Sequence, residues 1–271
     1  MMNLDEIYID IMRLIKEAGS MIRERTYKSR EANLKSCDID LVTEWDQKVE
    51  KLIIDGISSK YFDHKFIGEE GVGGTKIQLT ETPTWIIDPI DGTMNFVHGM
   101  PHSCISVALV VNKITEIGIV YNPFIEQLFT ARRGKGAFLN GGPIKVSTEK
   151  ELAKALVMIE FGTSRDPAKM DAVLKNVTHL TPLVHGIRCL GSAALNGCMV
   201  ALGAAEIYYE FGIHCWDIAA LDLIVREAGG VTIDPAGGPF DLMSRRVLCA
   251  SSMELAQKIA KELTQFYPEC D

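Results

Sequence analysis

Apolar residues near the start of the chain recur at helical spacing. Over residues 4–25 the positions Ile7, Ile11, Leu14, Ile15, Ala18 and Ile22 lie mostly three or four apart, which predicts an amphipathic helix with one buried stripe. A second helix is expected over about 44–60, with Val49, Leu52, Ile53 and Ile57 inward and Thr43 placed to cap it. The period then changes. KFIG (65–68) and TWIID (84–88) are short apolar runs ending near acids, and SCISVALVV and ITEIGIVYN flank Asn112 and Lys113 as two strands of a hairpin would. EQLFTAR and GAFLNGGPIKV continue the strand pattern around an Asn140–Gly141 turn signal.

After residue 155 strands and helices alternate: ALVMIEF as strand, 168–178 and 192–203 as helices, EIYYEF as strand, and 217–228 as helix. That last helix should stop at Gly229–Gly230, before VTID resumes an extended run and a strand and terminal helix finish the chain. Grouped helices and strands predict stacked α/β layers. No repeat, low-complexity stretch or Pro/Gly/Ser linker divides the sequence, so one body over residues 1–271 is expected.

Composition narrows the function classes. The chain carries 28 Lys and Arg against 36 Asp and Glu, a formal charge of −8, which speaks against wholesale neutralisation of a nucleic-acid backbone. An acidic protein can still bind an anionic substrate through a cation held by a few carboxylates. The seven cysteines show no CxxC spacing and fit a reducing compartment, and the N-terminal segment has no apolar run long enough for a signal peptide or membrane span. A cytoplasmic protein is expected.

Candidate chemistry concentrates in WIIDPIDGTMNF (85–96). A strand delivers Asp88, Pro89 presets the next φ, Asp91 returns three residues later, and Gly92 and Thr93 offer backbone amides. The same residues also make an ordinary β-turn, because Asp followed by Pro is common turn chemistry. Glu69 ends another apolar strand. Asp217 opens a helix, where an acid also suits the helix dipole, and Asp46 follows Thr43 by three residues, as in a capping box. Oxygen ligands without His or Cys at ligand spacing select a hard cation such as Mg²⁺ over zinc.

FIGEE, WIIDPIDGTMNFVH and IHCWDIAALDLIVREAGG, with DLVTEWDQKVE, VHGIRCLGSAALN and GGPFDLMSRR, resemble the inositol monophosphatases of the lithium-sensitive, metal-dependent phosphatase superfamily, over nearly the whole chain. The resemblance implies a layered αβαβα sandwich of the inositol monophosphatase/fructose-1,6-bisphosphatase type, a homodimer, and Mg²⁺-dependent hydrolysis of inositol monophosphates by in-line attack of water. It implies that Glu69, Asp88 and the carbonyl of Ile90 hold one ion and Asp88, Asp91 and Asp217 a second, with a third near Glu69. Thr93, paired with Asp46, would orient the water, and Glu69 would take part in catalysis with them.

On the substrate side the resemblance implies contacts from Asp91, Gly92, Thr93, Gly191, Ser192, Ala193, Glu210 and Asp217. The amides of Gly92 and Thr93 would face the phosphate and Glu210 the polyol hydroxyls. Lys35 would lie on a mobile active-site loop, and Thr163 near the substrate hydroxyls. Met94 and Ser192 depart from the family's usual Thr. His98, His102 and His214 are expected to be structural, and Cys215 a buried small residue. A phosphatase of the same superfamily acting on another small phosphate ester, or a catalytically silent relative that binds a protein partner, are the alternatives.

Overall fold

The computed structural model describes residues 3–24, 33–34, 41–42, 44–71 and 78–271. In chain order the elements are α1 (Leu4–Arg23), β1 (Asn33–Leu34), β2 (Leu41–Val42), α2 (Glu44–Ser58), β3 (Lys65–Gly68), β4 (Thr84–Asp91), α3 (Thr93–His98), β5 (Cys104–Val111), β6 (Ile114–Asn122), β7 (Gln127–Arg132), β8 (Gly136–Leu139) and β9 (Gly142–Pro143). They continue with β10 (Leu156–Ile159), α4 (Pro167–Leu180), β11 (Gly186–Arg188), α5 (Ala193–Leu202), β12 (Ile207–Phe211), α6 (Cys215–Glu227), β13 (Val231–Ile233), β14 (Arg246–Ala250) and α7 (Met253–Ala260).

Two large sheets and three helical layers stack in alternation, and β1 and β2 form a separate two-stranded antiparallel ladder. The predicted α1 stripe, together with Val49, Ile53 and Ile57 of α2, packs on Trp85, Ile87, Ile105, Val107, Leu109, Ile117 and Ile119 from one face of a seven-stranded sheet ordered β3-β4-β5-β6-β7-β8-β9. The opposite face, including Ile86, Ala108, Val110 and Val120, meets α5 and α6. Those helices also cover Met158, Tyr208, Val247 and Cys249 of a five-stranded sheet ordered β11-β10-β12-β14-β13. The outer face of the second sheet is closed by α4 and α7. Strands covered on both faces read as near-continuous apolar runs, as Trp85–Ile87 of β4 and Val107–Val111 of β5 do, where a half-exposed strand would alternate. This is the αβαβα order that the resemblance implies.

Both turn signals hold. Asn112 and Lys113 have φ of 52° and 62°, and Asn140 and Gly141 have 51° and 81°, the left-handed pairs that match strand twist in a tight hairpin. Helix α2 ends two residues before the expected 60, because Lys60 and Tyr61 turn back to bind Asp10 of α1 at 2.7 and 2.5 Å. Helix α6 begins two residues before Asp217, since the Asp217 carboxylate reaches back to accept the His214 amide at 2.6 Å. Gly229, at φ 93°, ends that helix as anticipated. The half-buried strand β11 carries no alternation and is not predicted. The expected cap Thr43 and the loop carrying Lys35 lie outside the described residues.

Candidate metal-dependent phosphatase site

Residues 88 and 91, three apart, would point to opposite faces of a regular strand. In β4 they do not. Asp88 pairs with Ser106 and Asp91 with Cys104, so three steps along β4 match two along β5 and the strand bulges. Pro89, which has no amide to give the ladder, sits in the bulge, and the Ile90 amide donates to Asp88 Oδ1 at 3.0 Å. Turn chemistry is therefore present, and its effect is to turn both carboxylates toward one point. Helix α6 brings in the third. Carboxylate oxygens of Asp88, Asp91 and Asp217 all lie within 4.8 Å of one another.

Glu69 joins them through register. Gly68 pairs with Ile87 in the parallel β3–β4 ladder, and the Glu69 amide donates to the Ile87 carbonyl at 3.1 Å, so Glu69 stands beside Asp88. From helix α2, Asp46 is fully buried and its Oδ1 accepts from Thr93 Oγ1 at 3.4 Å. The same hydroxyl donates to the Ile90 carbonyl at 3.0 Å. Gly92 needs its positive φ of 86°, and a Cβ there would also stand 2.8 Å from the Gly191 carbonyl. The expected catalytic and metal-ligating residues thus come together from β3, β4, α2, α3 and α6.

The electrostatics of the cluster favour a bound cation. Burial pushes the Asp88 carboxyl well above the usual carboxylate range, and the negative charges of Glu69, Asp91 and Asp217 push it further. Asp217 moves the same way, chiefly by burial and then by Asp91. Burial raises Asp91 to about 6, although Ser192 Oγ at 2.5 Å and the Ala194 and Ala193 amides at 2.8 and 3.2 Å stabilise its ionised form. Several carboxylates buried together are costly unless a cation binds among them. An all-oxygen donor set suits a hard divalent ion, so the residues fit the expected metal.

The stretch expected to meet the alcohol lies beside the acids but is heavily engaged by the protein. Gly191 donates its amide to Glu160 Oε1 at 2.6 Å, while Ser192 and Ala193 bind Asp91. Glu160 is the residue that sequence reasoning missed. Its Oε1 also accepts from the Leu190 amide at 2.7 Å and Asn196 Nδ2 at 2.8 Å, and Cys189 Sγ lies 3.0 Å from Oε2. In the sequence it reads only as a strand-end acid in ALVMIEF, and the loop it organises is about thirty residues away.

Glu210 sits on β12, 4% exposed, with Oε2 accepting from Tyr208 OH at 2.7 Å. Burial and the charge of Glu160 raise its carboxyl to about 8. Of the histidines, His214 stacks on Trp216 at 4.4 Å and its Nδ1 lies 2.6 Å from Asp271, while burial lowers the His102 pKa. Cys215 is fully buried.

The inositol monophosphatase family profile matches residues 3–266. The chain belongs to the inositol monophosphatase family. Inositol monophosphatase 1 of Bos taurus is 52% identical over 252 residues, covering 92% of this chain and 91% of that protein. Among solved structures, an IMPase of Thermotoga maritima superposes with a TM-score of 0.84 at 32% identity, over 95% of this chain and 96% of that one. The extragenic suppressor protein SuhB of Bartonella henselae superposes at 0.86 with 30% identity, over 96% and 99%. Like its family, this inositol monophosphatase homologue is a phosphoric monoester hydrolase of the metal-dependent kind.

Proposed function

We infer that the chain hydrolyses inositol monophosphates to inositol and phosphate with Mg²⁺, two or three ions per subunit, held by Glu69, Asp88, the Ile90 carbonyl, Asp91 and Asp217. The observation that carries this reading is the convergence of the Asp88, Asp91 and Asp217 carboxylates within 4.8 Å in a member of this family. Bound there, the ions supply Lewis acidity, which eases deprotonation of the attacking water and stabilises charge on the leaving oxygen.

The chain's own groups do the rest. The single Thr93 hydroxyl proton has two acceptors within reach, the Ile90 carbonyl and Asp46, and when it turns to Asp46 the lone pairs on Oγ1 are left to receive a water proton and fix the water's orientation. Asp46, fully buried, is positioned to accept the proton that Thr93 passes on. The amides of Gly92 and Thr93 face the phosphate, and Gly191, Ser192, Ala193 and Glu210 face the alcohol. Glu210 Oε1, the oxygen not engaged by Tyr208, suits a polyol hydroxyl.

The remaining assignments extend this reading: one inositol monophosphatase-like domain over residues 1–271, a homodimer, the cytoplasm, and sensitivity to lithium. Support for the cytoplasm comes from the six described cysteines, all free. Phosphate release from inositol 1-phosphate, measured on metal-stripped protein with and without added Mg²⁺, tests the function. Activity should require the metal, and comparable turnover in excess chelator would refute the assignment.

A further inference from the structure

Lysines are rarely fully buried unless paired, yet Lys169 on α4 is only 1% exposed and its Nζ has no hydrogen-bond partner. Its backbone is fixed by the Asp166 cap, which accepts the Lys169 amide at 2.9 Å. The side chain runs inward to the ends of β10 and β12, two parallel neighbours, where Gly162 and Gly212 leave room for it. A Cβ on Gly162 would lie 2.6 Å from Nζ, and one on Gly212 would lie 3.1 Å from it. The Gly162 position is also 3.3 Å from Glu210 Oε1, so the ammonium and that oxygen are under about 6 Å apart, the sum of the two separations. They are not close enough to form an ion pair, and they are close enough for strong attraction in a buried setting.

From this placement, and resting on the assignment of Glu210 to the polyol, we propose that Lys169 is a positioning residue that biases Glu210 toward its carboxylate form and thereby sets the preference for polyol phosphates. The charged surroundings single it out. Glu210 is influenced by Glu160 from the end of β10 and by Asp91 from β4, both of which oppose its ionisation, and by Tyr208 on its own strand, which donates to it. Lys169 is the cation among these neighbours. Around the lysine, Arg245 and Arg165 repel the ammonium while Glu210 and Asp217 attract it. Burial and Glu160 already hold the Glu210 carboxyl near 8 with Lys169 in place; without the counter-charge it moves higher still, so at any given pH a smaller share is ionised and offers the full acceptor set to a substrate hydroxyl.

The test compares the Mg²⁺-loaded wild-type enzyme with Lys169→Met, Lys169→Arg, Glu210→Gln and the Lys169→Met/Glu210→Gln double variant. Substrates are inositol 1-phosphate and para-nitrophenyl phosphate, which has no polyol hydroxyls. Lys169→Met should raise KM for inositol 1-phosphate about tenfold more than KM for the aryl ester, the size expected for one charge-assisted hydrogen bond, with a smaller change in kcat. Raising the pH should narrow that difference as Glu210 ionises, Lys169→Arg should restore most of it, and the Glu210→Gln background should remove it. Equal effects on both substrates, an unchanged KM, or a full Lys169→Met effect in the Glu210→Gln background would overturn the proposal. If Lys169→Met unfolds below the assay temperature, Lys169→Gln gives the same comparison with a polar, neutral side chain. Failure of the functional reading shows separately, as wild-type protein that turns over the aryl ester but not inositol 1-phosphate.

Discussion

Replacing Glu160 with Ala should destabilise the protein by about 3 kcal/mol, although nothing in the sequence distinguishes this acid from its neighbours. Its carboxylate accepts from the Leu190 and Gly191 amides at 2.7 and 2.6 Å and from Asn196 Nδ2 at 2.8 Å, with Cys189 Sγ at 3.0 Å. Each buried donor left without a partner costs about 1–3 kcal/mol, and Asn196, fully buried, should show most of that range. Leu190 and Gly191 are more accessible, so water replaces part of what they lose. Removing the negative charge near Glu210 also relieves repulsion there, an offset that keeps the total below a simple sum of bonds. Glu160→Gln retains an oxygen for the three nitrogen donors and should cost only about 1 kcal/mol. Urea unfolding at matched slope measures both variants. A loss under about 1 kcal/mol for Glu160→Ala, or equal losses for Ala and Gln, would show that this carboxylate does not organise the 189–196 segment.

Three further outcomes follow from the same geometry. Asp217→Asn should cut turnover by about a hundredfold or more yet stabilise metal-free protein at pH 8, since an amide keeps an oxygen for the His214 amide and removes one charge from a crowded site; initial rates and thermal unfolding in chelator check both signs. Glu210 is held near 8 in the folded state against an ordinary value near 4.5, so folded protein binds the extra proton between those limits and stability falls as pH rises through that window; Glu210→Gln should make the slope from pH 5 to 8 shallower, and an unchanged slope in urea titrations would contradict the assignment. Lithium should inhibit uncompetitively against inositol 1-phosphate, because the site built from Asp88, Asp91 and Asp217 must empty after each turnover; competition with substrate, or equal inhibition by sodium at matched ionic strength, would count against that site.

Most of the elements were legible because the physics that forms them is local, whereas their αβαβα order came from the family resemblance. A period of 3.6 in α1, the apolar runs Trp85–Ile87 in β4 and Val107–Val111 in β5, and left-handed turn residues at 112–113 and 140–141 each identify an element within a short window. The bulge that aims Asp88 and Asp91 together was not legible, since it is defined only by how β4 pairs with β5. Glu160 and Lys169 escaped for a related reason: each acts on groups brought near by the packing of β10, β12, α4 and α5, and neither belongs to a motif of its own. The metal-ligating acids were visible through family motifs, whereas composition and spacing alone left ordinary turn and cap readings open.

Those ordinary readings were not rivals of the functional one. Asp217 accepts the His214 amide as a helix-capping acid and also points into the carboxylate cluster. Asp91 accepts from Ser192, Ala193 and Ala194 at the start of α5 while facing Asp88 and Asp217, and Asp88 closes a turn through the Ile90 amide. In Asp88 and Asp217 one oxygen serves the backbone and leaves other acceptor sites for a cation, while Asp91 is used more heavily, with Oδ2 accepting from Ser192 and Ala194 and Oδ1 from Ala193. The hydrogen bonds hold each acid in place before a metal arrives, so binding need not freeze three mobile side chains, and the repulsion stored among them is released when a divalent ion binds. A local motif that explains an acid structurally is thus the anchor that makes it useful as a ligand.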